Sequence, residues 1–339
     1  MDQGVITGVW RENFPDLDQV RYAWMYQNNP AGPAHCQIAR DLSRGEVLGS
    51  AALFPRRMFV DGKECLAGVA GDFSVKREHR AFGPALSLLR RGVDECLSGH
   101  FDFLFGFPNS LSEAVLVRAG YKAIGQVRRF VKPLQSRYLL EKWHRAPGFA
   151  KAVTRSVDML LTLAARAGGW GIDKRFRAES PARFDSRFDE LWRKACHQEP
   201  VIGERSAAYL NWRYVEAPHR RYHIYALSQG DGAELAGYIV YWLSQDERVH
   251  IVDLLAINWA GAADALLSMF LHRQRRERRQ AVCISYAGTP DVGRLLRNHG
   301  FLERKPQGNL VVFTPECSPF REHLLEQDKW YALAGDNDV

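Results

Sequence analysis

Six cysteines (Cys36, Cys65, Cys96, Cys196, Cys283, Cys317) are scattered through the 339 residues, and no two form a CxxC or other close pair. That spacing argues against a zinc site or a disulfide framework and fits a reducing compartment. No run of about 18 apolar residues occurs, so no membrane-spanning helix is expected. The opening residues, MDQGVITGVWRENF, lack the basic stretch and apolar core of a secretory signal. A cytoplasmic protein is the expectation. With 46% hydrophobic and 25% charged residues the chain has the composition of a soluble globular protein. The formal net charge of +7 is a mild excess, compatible with anionic partners but selecting none. At this length two compact domains are expected.

The most informative stretch is Val75 to Ala85, VKREHRAFGPA. Upstream, Cys65 to Val75 is a short apolar run rich in small and β-branched residues and reads as a buried strand. Downstream, Leu86, Leu89, Val93 and Leu97 recur at helical spacing, with Pro84 suited to the first turn. A strand therefore runs into a tight basic turn that opens a helix. Such a turn aims unpaired backbone N–H groups and the positive end of the helix dipole at one point, where a phosphate or pyrophosphate fits. A second unit follows: strand Phe101 to Phe107, then Asn109, a helix from about Leu111 to Ala119, and Gly120-Tyr121 as its left-handed stop.

These residues resemble the Gcn5-related N-acetyltransferases (GNAT). The family carries V-x-P-x-x-R-G-x-G-x-G/A between its fourth strand and the helix that grips the coenzyme A pyrophosphate. Val75, Arg80, Gly83 and Ala85 fall on that pattern, with Arg77 for the proline and Ala81 for the first glycine. Asn109 and Gly120-Tyr121 keep the family's later N-x10-G-F spacing, with Tyr for Phe. The implied fold is α/β: two tandem GNAT-like domains, each a mixed, mostly antiparallel sheet flanked by helices.

The tandem reading comes from an internal repeat. Trp24, Tyr26 and Pro30 form W-x-Y-x3-P, and Trp212, Tyr214 and Pro218 repeat it. Alternating segments follow each copy: Cys36 to Arg40 and Val47 to Phe54, then Tyr222 to Leu227 and Leu235 to Trp242. Asp72 and Asp253 come next, and each unit closes on glycine-aromatic, Gly120-Tyr121 and Gly300-Phe301. The aromatics of the repeated motif either pack helix onto sheet or line an acceptor groove. In the second copy the coenzyme loop becomes Leu255 to Ala265, LAINWAGAADA, without the arginine. Expected boundaries are a coenzyme-binding domain at 1–134, a helical linker at 135–179, a second, degenerate domain at 180–317 and a C-terminal tail at 318–339. Residues 147–167 carry an apolar helical face flanked by basic residues. That face suits a bridging helix, a lid, or contact with a membrane surface. The run His272 to Arg279, HRQRRERR, reads first as a solvated helix end that complements the dipole.

What the resemblance implies is transfer of an acyl group from acetyl-CoA or another acyl-CoA, a co-substrate, to an amine acceptor such as an amino sugar or amino-acid derivative, with no metal. Arg80 and the backbone of Ala81, Phe82, Gly83 and Ala85 would hold the pyrophosphate. Phe73 and Val75 would line the pantetheine, and Asn109 would sit near the cofactor arm. Asp72 is the candidate base, with Glu64 and His79 as further choices. Where many family members carry a tyrosine that protonates the thiolate, this chain has Leu116. Two alternatives stay open. One is a Fem-like transferase drawing on aminoacyl-tRNA, which the basic run would suit but the retained Arg80–Ala85 loop argues against. The other is a non-catalytic protein that binds coenzyme A or a partner. The oligomeric state is open.

Overall fold

The computed structural model describes residues 19–79, 82–135, 138, 175–230 and 232–337. The first series of elements is α1 (Gln19–Tyr22) running into a π-helical turn at Ala23–Gln27, then β1 (His35–Asp41), β2 (Glu46–Val60), β3 (Lys63–Val75), α2 (Phe82–Leu97), β4 (Phe103–Gly106), α3 (Ser110–Ala119), β5 (Lys122–Gln126) and β6 (Arg128–Pro133). After β7 (Phe176–Glu179), α4 (Ser186–Ala195) and β8 (Val201–Gly203) the series repeats in the same order. It comprises α5 (Ala207–Leu210), a π turn at Asn211–Val215, β9 (His223–Gln229), β10 (Glu234–Leu243), β11 (Arg248–Ala256), α6 (Ala262–Arg276), β12 (Ala281–Gly288), α7 (Pro290–Asn298), β13 (Leu302–Arg304) and β14 (Asn309–Phe313). The chain closes with α8 (Arg321–Leu324) and β15 (Trp330–Leu333).

The repeated W-x-Y-x3-P motif forms the π turn in each half, and the two turns meet. The Trp24 indole N–H donates to the Trp212 carbonyl at 2.8 Å, and the Trp212 indole N–H donates back to the Trp24 carbonyl at 3.0 Å. Their ring centroids lie 5.3 Å apart. A buried indole N–H needs an acceptor, and here each copy supplies the other's, so the motif is retained at both places. The glycine stops also match. Gly120 (φ 112°) and Gly300 (φ 74°) take the left-handed conformation after α3 and α7. The following Tyr121 and Phe301 N–H groups then donate to Leu116 and Leu296.

Each half completes its sheet with the other's last strand. Strand β14 lies between β4 and β5, pairing Val312 with Phe105 on one side and Leu310 with Gly125 on the other. Reciprocally, β6 lies between β12 and β13, pairing Phe130 with Ile284 and with Glu303. The exchanged residues Phe130, Val131, Leu310, Val311 and Val312 are fully buried, so each is worth roughly 1.5–3 kcal/mol of burial across the exchange. One continuous sheet results, because β8 pairs antiparallel with β2 and parallel with β15, which in turn pairs antiparallel with β12.

The C-terminal residues, read in the sequence as a tail, have a structural task. Pairing of β11 with β12 ends at Ile251 and Ile284, after which the strands diverge. Tyr286 of β12 pairs with Arg128 of β6 on one side and with Leu333 of β15 on the other. Strand β15 therefore fills the gap between β11 and β12, and the Tyr331 hydroxyl donates to the Leu254 carbonyl. Just beyond it, Asp336 accepts from Arg56 at 2.9 Å and from Arg205 at 2.8 Å, while Arg205 also reaches Asp253 at 3.0 Å.

The helical phase of α2 differs by one position from the sequence pattern. Ala85, Leu88, Leu89, Val93 and Cys96 face the core, whereas Leu97 is 60% exposed. The basic end of α6 follows the solvated reading in part: Arg273 bonds Glu277 at 2.8 Å, and Arg279 pairs with Glu247 and Glu277. The helical face at 147–167 lies outside the described residues, as does the linker from 139 to 174. Among the described residues no helix is long and apolar enough to cross a membrane.

Glu199, just before β8, is buried and accepts from the Trp259 indole at 2.7 Å. Burial raises its pKa from 4.5 to about 7, against the lowering effect of the bonds from Trp259 and Thr289. A carboxyl raised in the folded state favours folding most below its unfolded value and loses that contribution as pH climbs through the folded one. Between pH 4.5 and 7.5 the loss amounts to about 3 kcal/mol. In urea unfolding, Glu199→Gln is therefore expected to gain about that much relative to the unsubstituted protein across this range. Parallel pH profiles would refute the assignment.

Candidate functional site

Strands β3 and β4 run parallel only from Ala67 opposite Phe103 to Val69 opposite Phe105. A Cβ on Gly106 would come within 3.2 Å of the Ala70 carbonyl, so the strands are still close there. Past that point they separate, β3 continuing to Val75 while the segment after β4 turns at Phe107-Pro108 into α3. The opening is a cavity of about 810 Å³. Its walls come from Ala51–Leu53 of β2, Ala70–Phe73 of β3, Leu88, Leu89 and Gly92 of α2, and Asn109, Ser112 and Leu116 at α3. A long, mostly apolar slot beside a strand no longer paired to its neighbour offers backbone groups to an extended ligand.

A β-bulge shapes the β3 wall. Ser50 pairs with Ser74 and Ala52 with Gly71, so β3 carries one residue more than β2 across that interval. Asp72 sits there with φ 46°, a left-handed conformation that aspartate tolerates better than most side chains. Its carboxylate accepts from Arg21 at 2.6 and 2.9 Å and from the Tyr26 hydroxyl at 2.7 Å. Burial, then the Asp72 charge, pushes the Tyr26 phenol well above its ordinary value, so Tyr26 stays a donor. The second half builds the same kind of cluster: Asp253, beside a bulge in the β10–β11 pairing, accepts from Arg205 at 3.0 Å and from Tyr238 at 3.0 Å.

Of the residues singled out in the sequence, Asp72, Phe73 and Asn109 line the cavity. Val75 and Ala85 are buried in the core under α2, Gly83 is exposed in its first turn, and Phe82 begins that helix. Arg80 and Ala81 lie outside the described residues. Asn109 caps α3, its side-chain oxygen accepting from the Leu111 and Ser112 N–H groups at 3.0 Å. Glu64 is on the far end of β3, pairing with Phe59 and 3.9 Å from Arg57. It does not line this cavity, and neither does His79. Leu116 does, beside Tyr121, whose phenol burial pushes upward.

Sequence reasoning did not find the contributions from the other half. Ala217, His219, Arg220 and Tyr222, from the segment after the second π turn, complete the cavity wall together with Asn337. The available signal was positional: Ala217 lies within the repeated motif, and His219 to Tyr222 directly follow it. Arg21 was equally hidden, since its counterpart Arg205 does not fall at the repeat spacing.

A smaller cavity of about 340 Å³ adjoins the first, sharing Phe107, Pro108, Arg220, Tyr222 and Asn337 with it. The crevice between β11 and β12 that corresponds to the larger cavity is filled by β15, as described above. Among the described residues, no three His, Cys, Asp or Glu side chains gather as a metal site.

Residues 5–124 match the family model of the acetyltransferase (GNAT) domain. No curated protein sequence matches the chain. Its fold is similar to that of a GCN5-related N-acetyltransferase from Anabaena variabilis (TM-score 0.62, 14% identity, covering 91% of this chain and 68% of that one). It is also similar to a conserved protein of unknown function from Enterococcus faecalis V583 (TM-score 0.64, 12% identity, 92% and 70%). A third similarity is to Saccharomyces cerevisiae N-myristoyltransferase, solved with bound myristoyl-CoA (TM-score 0.56, 12% identity, 93% and 77%).

Proposed function

We propose that the chain, whose residues 5–124 match the acetyltransferase (GNAT) domain model, is an acyl-CoA-dependent N-acyltransferase with one active site, in the larger cavity. The observation that carries the reading is the separation of β3 from β4 beyond Val69 and Phe105. The coenzyme supplies an activated acyl thioester. The chain's part is to hold it extended along β3, with a backbone N–H near the bulge polarising the carbonyl. The loop from Arg80 to Ala85 would take the pyrophosphate at the helix N-terminus.

An amine reaching the carbonyl forms the C–N bond as the C–S bond breaks, and its proton leaves to a base or water. Asp72 is assigned to positioning rather than to that proton transfer, because both of its oxygens already accept from Arg21 or Tyr26. Its likeness to the Asp253 cluster, in the half whose crevice is filled, supports the same assignment. For the leaving thiolate, Leu116 offers no proton. Tyr222, at the junction of the two cavities, is the proposed donor.

The test couples acyl-CoA titration to release of free coenzyme thiol with a panel of amines. Tyr222→Phe is expected to lower kcat on the order of 100-fold with acyl-CoA affinity within about twofold. Leu116 also favours a second reading, binding without turnover, and coenzyme binding with no thiol release across the panel would decide for it.

A further inference from the structure

We propose that the smaller cavity is an acceptor subsite for an amine that bears its own oxyanion, a carboxylate or a phosphate. This deepens the acyl-transfer reading and rests on it for the word acceptor, though not for the anion. The cavity is lined by residues of both halves, and among the described residues none of the lining side chains is an aspartate or glutamate. Arg129 of β6 and Arg220 from the segment before β9 both face it. Among the described residues neither of the two forms an ion pair with a carboxylate. Arg213 adds a third guanidinium in the wall, engaged with the carbonyls of Gly335 and Asn337. Ser285, Gln307 and Asn309 supply neutral polar groups.

The aromatic floor reports the same field. His250 stacks on Trp242 with centroids 4.2 Å apart and planes 11° off parallel, and the Arg220 guanidinium lies 4.2 Å from the same Trp242 ring. Burial, then the charges of Arg129, Arg220 and Arg248, hold the His250 pKa down to about 4 against the opposing pull of Asp246. Asp246 is itself paired with Arg248 at 2.9 Å. Cations clustered without carboxylates repel one another, and a bidentate oxyanion relieves that repulsion with charge-assisted bonds. Strand β3 and helix α2 contribute nothing to this lining, and Arg129 does not line the larger cavity. A volume near 340 Å³ suits a single amino acid or sugar.

The experiment is calorimetric titration of the full chain, alone and with coenzyme A, using matched probes: alanine against ethylamine, and glucosamine 6-phosphate against glucosamine. In at least one pair the anion-bearing probe is expected to bind tenfold or more tightly. Contrast in the first pair assigns a carboxylate, and in the second a phosphate. Arg220→Gln, at an exposed position, should erase most of the contrast, and Arg129→Gln, at a position that does not line the larger cavity, should do so while leaving coenzyme A affinity unchanged. Arg129→Lys, which keeps the charge, should retain part of it. Equal binding within both pairs, or contrast that survives both Arg220→Gln and Arg129→Gln in protein that still binds coenzyme A, overturns the subsite. Failure of coenzyme A to bind while the contrast persists overturns the acyl-transfer reading and leaves the anion subsite standing.

Discussion

Arg80→Glu is expected to weaken acyl-CoA binding at least about 100-fold, whereas Ala260→Glu is expected to leave it unchanged. The two positions correspond in the repeat, Arg80 in VKREHRAFGPA and Ala260 in LAINWAGAADA. A guanidinium bonded to a phosphate is worth about 1.5–3 kcal/mol, and reversing its charge adds repulsion. About 3 kcal/mol corresponds to the stated loss. The comparison isolates the site because both substitutions add the same carboxylate to the chain, and Ala260 is exposed ahead of α6. The first half also has the open slot beside β3, while the second has β15 in the corresponding place. Calorimetry with acetyl-CoA and a longer acyl-CoA should give one site per chain in the unsubstituted protein and in Ala260→Glu. Two sites, or full affinity in Arg80→Glu, would remove the loop from the binding site.

Local features of the fold were legible where chemistry leaves a mark in one segment. The glycine-aromatic stops were readable because a left-handed cap selects glycine, and Gly120 and Gly300 both adopt it. The strand hairpins were readable from alternation: β1, β9 and β10 follow the expected ranges closely, while β2 runs on six residues beyond Phe54 to Val60. The repeat was legible through Trp24 and Trp212, whose reciprocal hydrogen bonds explain why neither copy dispenses with its indole. Strand exchange was not legible. Swapping β6 and β14 between two similar sheets changes no alternation pattern, since Val131 and Val311 are buried in either arrangement.

The site was legible in part for the same reason. A motif announces what one segment does, so Asp72, Phe73 and Asn109 could be picked out and do line the cavity. What surrounds them is set by partners far along the chain. Asp72 has both carboxylate oxygens engaged only because Arg21 and Tyr26, 51 and 46 residues away, reach it. Tyr222 and Arg220 approach from the other half, and nothing local in that segment marks them as cavity residues. In α2 the inward positions are taken by Leu88, Leu89, Val93 and Cys96, with Gly92 facing Leu53, and Leu97 falls outward.

Asp336→Ala is expected to cost about 3–5 kcal/mol of stability, because it leaves two buried guanidinium groups with one carboxylate between them. Arg205 is 1% exposed and Arg56 3%, so water cannot take over the lost bonds. Burial pushes the Asp336 carboxyl upward, but Arg205 and Arg56 outweigh it and hold the group below the usual 3.8. A carboxyl depressed in the folded state contributes fully above its unfolded value and loses that contribution as pH falls below it. The penalty of Asp336→Ala should therefore be constant at neutral pH and shrink only under acid conditions. Asp336→Asn keeps the shape and an acceptor for the Leu333 N–H, which bonds the carboxylate at 3.0 Å, so it should lose less than the alanine variant. Urea unfolding measures both, and a loss under about 1 kcal/mol in Asp336→Ala would show that β15 is held by its own side chains. Trp330 and Tyr331 are fully buried in that strand, which makes the alternative a real competitor. Limited proteolysis separates the two: if the ion network is the anchor, cleavage near residues 330–337 accelerates in Asp336→Ala before the rest of the sheet opens. Loosening β15 would also clear the crevice between β11 and β12, yet acyl-CoA stoichiometry should stay at one, because the loop there still lacks its arginine.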